Sequence, residues 1–242
     1  MLCDKIIVGV ITSKFIPRRF IMEISKILSM VDHTLLKPDA TWSDIKRTCD
    51  EAMRFETASV CIPPSFVECA SDYCNHRTKI CTVIGFPNGY NTQKIKMLEI
   101  ANAIENGADE IDTVINIGDL KDKKYSRILD DLKGQRYACR NKILKVIIET
   151  CLLTEDEKKR MCDLVSQAGA DFIKTSTGFS TGGATKEDIA LMAKYVAPGV
   201  KIKAAGGISS FDDARAFIEL GASRLGTSRL VKILLDENGG GY

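Results

Sequence analysis

From about Phe20 onward the chain alternates between short runs of β-branched and apolar residues and longer stretches in which apolar positions recur every three or four residues. The short runs predict strands, since a brief apolar segment bounded by turn formers suits a buried extended chain. They fall at Met30–His33, Ala58–Ile62, Ile80–Gly85, Glu110–Asn116, Leu144–Glu149, Phe172–Ser176, Val200–Ala205 and Arg224–Thr227. The stretches between most of them read as helices. Alternating strands and helices imply repeated βα units on a parallel sheet, and eight strands is the number that closes such a sheet into a (β/α)8 TIM barrel, an α/β fold of one domain.

Local signals mark the helix ends. Thr41, Thr154, Thr185 and Ser210 each stand three residues before an acid, in TWSD, TEDE, TKED and SFDD, the pattern of a hydroxyl N-cap facing a carboxylate. NGADEID, AGADFIK and LGASRLG put Gly107, Gly169 and Gly221 where a helix needs a left-handed residue before the chain turns into a strand. Five residues beyond each glycine lie Asp112, Lys174 and Gly226, which are therefore expected at equivalent strand positions. Side chains alternate between the faces of a strand. Ile111, Thr113, Ile173 and Thr175 then face the helices, while Asp112 and Lys174 face the barrel interior; in VKIKAAGG the same alternation turns Lys203 inward.

Composition narrows the class of protein. Of 242 residues, 45% are hydrophobic and 27% charged, which is ordinary globular usage. The net charge of +2 comes from mixed signs along the chain, so no nucleic acid or membrane surface is expected as partner, and a small molecule is. Cys3, Cys49, Cys61, Cys69, Cys74, Cys81, Cys139, Cys151 and Cys162 form no CxxC pair, and only His33 and His76 accompany them. A zinc or redox motif is therefore not expected, and free thiols in a reducing cytoplasm are. Residues 1–19 include IIVGVIT, too short to span a membrane, and read as an extension outside the fold, with Lys14, Arg18 and Arg19 leaving a transit peptide as the alternative. The barrel domain is expected over 20–235, followed by a flexible tail, 236–242, that ends in Tyr242.

An inward lysine is most often half of a structural ion pair. Two lysines against one acid do not balance, and burial together with a like charge lowers the pKa of one of the amines. A neutral amine adds to a carbonyl and, after loss of water, gives an imine that stabilises a carbanion on the next carbon. Asp112, within reach of the same carbonyl, can move protons. AAGGISSFDD and LGTSRLV, at the last two βα loops, offer backbone N–H groups where barrels often bind phosphate.

DHTLLKPDAT, SVCIPP, VIGFPNG, GADEIDTVINIG, KVIIETCLLT, FIKTSTGFSTGGAT, KAAGGI and LGTS occur in that order between about Ile24 and Leu234. Through these motifs the chain resembles the 2-deoxyribose-5-phosphate aldolases, Schiff-base enzymes that cleave deoxyribose 5-phosphate to acetaldehyde and glyceraldehyde 3-phosphate. The resemblance implies that Lys174 forms the imine, that Lys203 lowers its pKa and exchanges protons, and that Asp112 takes part in proton relay. It implies phosphate binding around Gly178, Gly206, Gly207, Gly226 and Ser228, and a substrate pocket lined by Asp32, Thr34 and Cys61. It also implies a homodimer, no cofactor and no metal, with Tyr242 as a further candidate for proton transfer. Ser209 and Arg229 depart from the family pattern beside the phosphate loops. A different Schiff-base barrel acting on longer sugar phosphates, and a barrel that only binds a sugar phosphate, remain open on these residues.

Overall fold

The computed structural model describes residues 18–239. Helix α1 (Arg18–Leu28) leads into β1 (Val31–Thr34), and there follow α2 (Trp42–Arg54), β2 (Ser59–Ile62), α3 (Val67–Cys74), β3 (Ile80–Ile84), α4 (Gln93–Glu105) and β4 (Glu110–Val114). The second half runs α5 (Ile117–Lys121), α6 (Tyr125–Cys139), β5 (Ile143–Ile147), α7 (Glu155–Gln167), β6 (Phe172–Lys174), α8 (Lys186–Tyr195), β7 (Lys201–Ala205), α9 (Phe211–Glu219), β8 (Ala222–Thr227) and α10 (Arg229–Gly239). Each strand pairs in parallel with the next, and β8 pairs with β1, so the sheet closes as a TIM barrel. Every expected strand is present. Most are shorter than the sequence suggests, because residues such as Thr175 and Ser176 have already left the ladder for the loop above it. The segment before Arg18, and Tyr242, lie outside the described residues.

The helix ends follow the sequence chemistry in detail. Thr41 and Thr154 form complete capping boxes with Asp44 and Glu157. Thr185 and Ser210 also cap their helices, but their acids are engaged elsewhere: Asp188 binds Lys158 at 2.5 Å, and Asp213 accepts from the amide and hydroxyl of Ser209. Gly107 and Gly169 have φ of +101° and +71°, the region open to glycine at little steric cost.

The apolar core lies between sheet and helices rather than inside the barrel. Ile111, Val146, Ile173, Ile202 and Leu225 point outward from their strands and pack with Ile45, Ile100, Leu132, Val165, Ile189 and Leu230. Each such side chain contributes roughly 1.5–3 kcal/mol when fully buried. The interior is mostly polar; its apolar part includes a small cluster of Cys61, Cys81 and Val83, with Ile147 and Phe172 on the inward parity of β5 and β6. Branched hydrophobes usually fill a barrel of this kind, so the interior is where sequence has been diverted from packing.

The two αβ turns make a testable pair. A Cβ at Gly107 would come within 2.2 Å of Ser71 Oγ, whereas one at Gly169 would meet nothing within 4 Å. G169A therefore carries backbone strain alone, about 1 kcal/mol, and G107A adds a clash, at least about 2 kcal/mol in all. Urea unfolding of both variants beside wild type checks the order.

Candidate active site

Parallel pairing fixes which side chains share the interior. Asp112 is the register partner of Lys145, Ile147 of Lys174, and Lys174 of Lys203. Around the remaining strands the same parity carries Gly226, Asp32, Ser59, Cys61, Cys81 and Glu110 inward. The three residues read from the sequence therefore do converge, and they converge on one atom. Asp112 Oδ2 accepts from Lys174 Nζ and from Lys203 Nζ, each at 2.7 Å. Its other oxygen accepts from Lys145 Nζ at 2.7 Å and from the Cys81 thiol at 3.2 Å.

Lys145, Glu110 and Arg224 escape sequence reasoning. Lys145 is fully buried and touches Glu110 at 2.7 Å and Asp32 at 3.6 Å as well as Asp112. Arg224 bridges Asp32 (2.6 Å) and Glu110 (2.9 Å). The interior thus holds Lys145, Lys174, Lys203 and Arg224 against Asp32, Glu110 and Asp112, the same single excess of positive charge inferred from two lysines and one acid. No glycine marks Lys145 in the sequence. It stands five residues after Arg140, whose φ of +52° fills the place glycine takes before β4 and β6.

The electrostatics are lopsided. Burial favours a neutral acid at Asp112, but Lys145, Lys174 and Lys203 override it and hold the carboxyl well below the usual range. Asp32 is lowered in the same way, against its burial, by Lys203, Lys145 and Arg224. At Lys203 burial favours the neutral amine, yet Asp112 and Asp32 together raise it above an ordinary lysine; Lys145 is raised too, against its burial, by Asp112 foremost. Lys203 and Lys145 therefore stay ammonium ions. Lys174 has one carboxylate contact where Lys203 has two, and of the three lysines it alone reaches a cavity.

That cavity, about 390 Å³, opens at the carboxyl ends of the strands. Thr34, Gly178, Gly206, Gly207, Gly226 and Ser228 all line it. Asp32 and Cys61, expected on its wall, lie beneath it with no exposed surface: Asp32 is taken by Lys203, Arg224 and Ser59, and Cys61 packs beside its register partner Cys81. Ser209 is tied to Asp213 away from the cavity, and Arg229 is exposed outside it. Three roomier surface grooves, about 480, 520 and 410 Å³, touch none of the interior charges. Donor sets close enough to hold a metal ion, Cys61–Cys81–Asp112 and Asp32–Cys81–Glu110, are found among the described residues, but Lys145 Nζ already sits among them.

A lysine that reaches a cavity at the catalytic face of a parallel barrel, with a carboxylate and a charged amine behind it, defines an enzyme equipped to add an amine to a carbonyl and shuttle the protons. Over residues 26–233 the sequence matches the DeoC/LacD family aldolases, and the chain belongs to that family. It is 57% identical over 216 residues to a deoxyribose-phosphate aldolase of Streptococcus pyogenes serotype M28, covering 89% of this chain and 97% of that one. Among solved structures it is similar to the aldolase QR15 (36% identity, TM-score 0.83, 87% and 95% of the two chains). It is also similar to the tetrameric deoxyribose phosphate aldolase of Aeropyrum pernix (28% identity, TM-score 0.80, 97% and 96%).

The charge network sets the pH range of the fold. Asp32 and Asp112 have depressed values, so their stabilisation is present above their ordinary 3.8 and is lost as pH falls through the folded values. Lys145 and Lys203 are raised, so theirs is intact below 10.5 and is lost only as pH rises through still more alkaline values. Urea midpoints across pH should accordingly hold between these limits and drop on the acid side.

Proposed function

We propose that this protein is a class I aldolase that reversibly cleaves 2-deoxyribose 5-phosphate to glyceraldehyde 3-phosphate and acetaldehyde. Lys174 carries the reading: it is an almost fully buried lysine whose amine contacts Asp112 and still faces the cavity. In the cleavage direction the neutral amine adds to C1 of the open-chain sugar, and the carbinolamine loses water to give the iminium ion. The C2–C3 bond breaks as the C3 hydroxyl gives up its proton; the electron pair passes into the enamine, and glyceraldehyde 3-phosphate leaves. Protonation at C2 and hydrolysis then release acetaldehyde and restore the amine. No external oxidant or reductant enters.

The residue roles follow from the charge states. Asp112, held as a carboxylate, serves as the proton acceptor, and Lys203, held as an ammonium, serves as the donor. Asp112 Oδ2 touches both amines and is the atom through which a proton passes between them. For the phosphate, Gly178, Gly206, Gly207, Gly226 and Ser228 offer a glycine-rich rim on the cavity, and Lys37 and Lys232 add two cations to the same wall. Thr34 stands on the β1 side, where a sugar hydroxyl can reach it.

We further propose a homodimer working in the cytoplasm. Eight described cysteines are free, and no described helix is long and apolar enough to cross a membrane. Leu98 on α4 and Tyr137 on α6 are 57% and 82% exposed beside one apolar groove, a surface suited to a second copy of the chain.

Borohydride with acetaldehyde is expected to add irreversible mass to the peptide containing Lys174, and K174M to abolish cleavage. D112N and K203M should lose about 10²–10⁴ in kcat. Active enzyme that forms no adduct would remove the mechanism. Size exclusion of the native protein from a cytosolic fraction should give twice the chain mass, and L98E the single mass; wild type eluting as a monomer contradicts the dimer.

A further inference from the structure

Six non-glycine residues among those described have positive φ: Glu56, Asn75, His76, Lys123, Arg140 and Glu149. The first five are exposed, in turns that follow helices. Glu149 is different. It is 3% exposed and stands two residues beyond the end of β5, with φ +55° and ψ +67°. A buried non-glycine residue held in a left-handed conformation accepts backbone strain and the burial of a polar carboxyl at once, and such outliers point toward function.

What the conformation achieves is visible in its partners. The Glu149 carboxylate accepts from the Thr177 amide (3.2 and 3.3 Å) and from the Thr177 hydroxyl. Thr177 Oγ1 in turn accepts from the Phe179 amide at 3.0 Å. These donors are neutral. On either side of Glu149 the backbone makes the same attachment: Ile148 N–H donates to Lys174 O (3.0 Å) and Thr150 N–H to Thr175 O (2.9 Å). The end of β5 is thereby tied to Lys174, Thr175 and Thr177 on the segment leading into the β6–α8 loop. Thr177, Gly178 and Phe179 all lie on the cavity wall.

We propose that Glu149 is a positioning residue for this loop: by fixing Thr177, and through it Phe179, it holds Gly178 and its neighbouring amides toward the substrate phosphate. The inference rests on the deoxyribose 5-phosphate reading given above. It assigns Glu149 no proton transfer and no contact with the reacting carbons. Its loss is felt at the phosphate end of the substrate, so affinity for a phosphorylated sugar falls while the imine chemistry at Lys174 keeps its machinery.

The test compares full-length wild type, E149Q and E149G on deoxyribose 5-phosphate and on unphosphorylated 2-deoxyribose, with the thermal midpoint recorded for each. Glycine suits the positive φ and removes the carboxylate; glutamine keeps the volume but loses the charge and replaces one of the two oxygens that share the Thr177 amide with an NH2 group, which cannot accept from it. The ratio of kcat/KM for the phosphorylated to the unphosphorylated sugar should fall about tenfold in both variants, through KM. A ratio at the wild-type value, or an equal loss on both sugars, overturns the proposal, since a residue serving only the fold would act on both alike. If E149G fails to fold, the ratio in E149Q decides. Wild type that does not favour the phosphorylated sugar would sink the functional reading and this inference together, whereas unaltered variants beside a wild type with that preference sink only the inference.

Discussion

One carboxylate organises this protein. Asp112 is fully buried at the centre of the barrel, and three lysines from β5, β6 and β7 bind its two oxygens. Each partner is tolerable there because of the others: removing an ammonium or a carboxylate from water is costly, and only a near-balanced cluster with short contacts offsets it. Strand order then does the rest. With β4 to β7 adjacent in sequence and in space, every charge must arrive on the inward parity, and the apolar residues between them are left to face the helices.

The division of labour among the lysines follows from counting their contacts. Lys145 is surrounded by three carboxylates, Lys203 by two, and Lys174 by one. Only the last of these reaches the cavity, so the amine with the fewest carboxylate contacts is the one a substrate can meet. Reactivity here is a matter of graded neighbours rather than of one special side chain.

Much of this is legible in the amino-acid sequence. Asp112, Lys174 and Lys203 follow from strand parity, and the glycines at 107 and 169 supply the phase. Legibility fails where the same turn is built without glycine. Glu56, His76 and Arg140 take the left-handed position before β2, β3 and β5, and five residues on from them stand Cys61, Cys81 and Lys145. The spacing is the same at these turns; only its marker is missing. Asp32 is hidden for another reason. Which of several inward residues reaches the cavity and which is covered depends on side chains from distant strands, Lys203 and Arg224 in this case, and neither local period nor capping pattern encodes that.

Lys145 occupies a position among thiol and carboxylate donors that in another protein would suit a divalent cation. A cation carried on a side chain has no dissociation constant. It arrives with translation, at one per chain, and cannot be stripped by a chelator or exchanged for a competing ion. The charge that Lys145 brings to Asp112 is therefore in place as soon as the barrel closes.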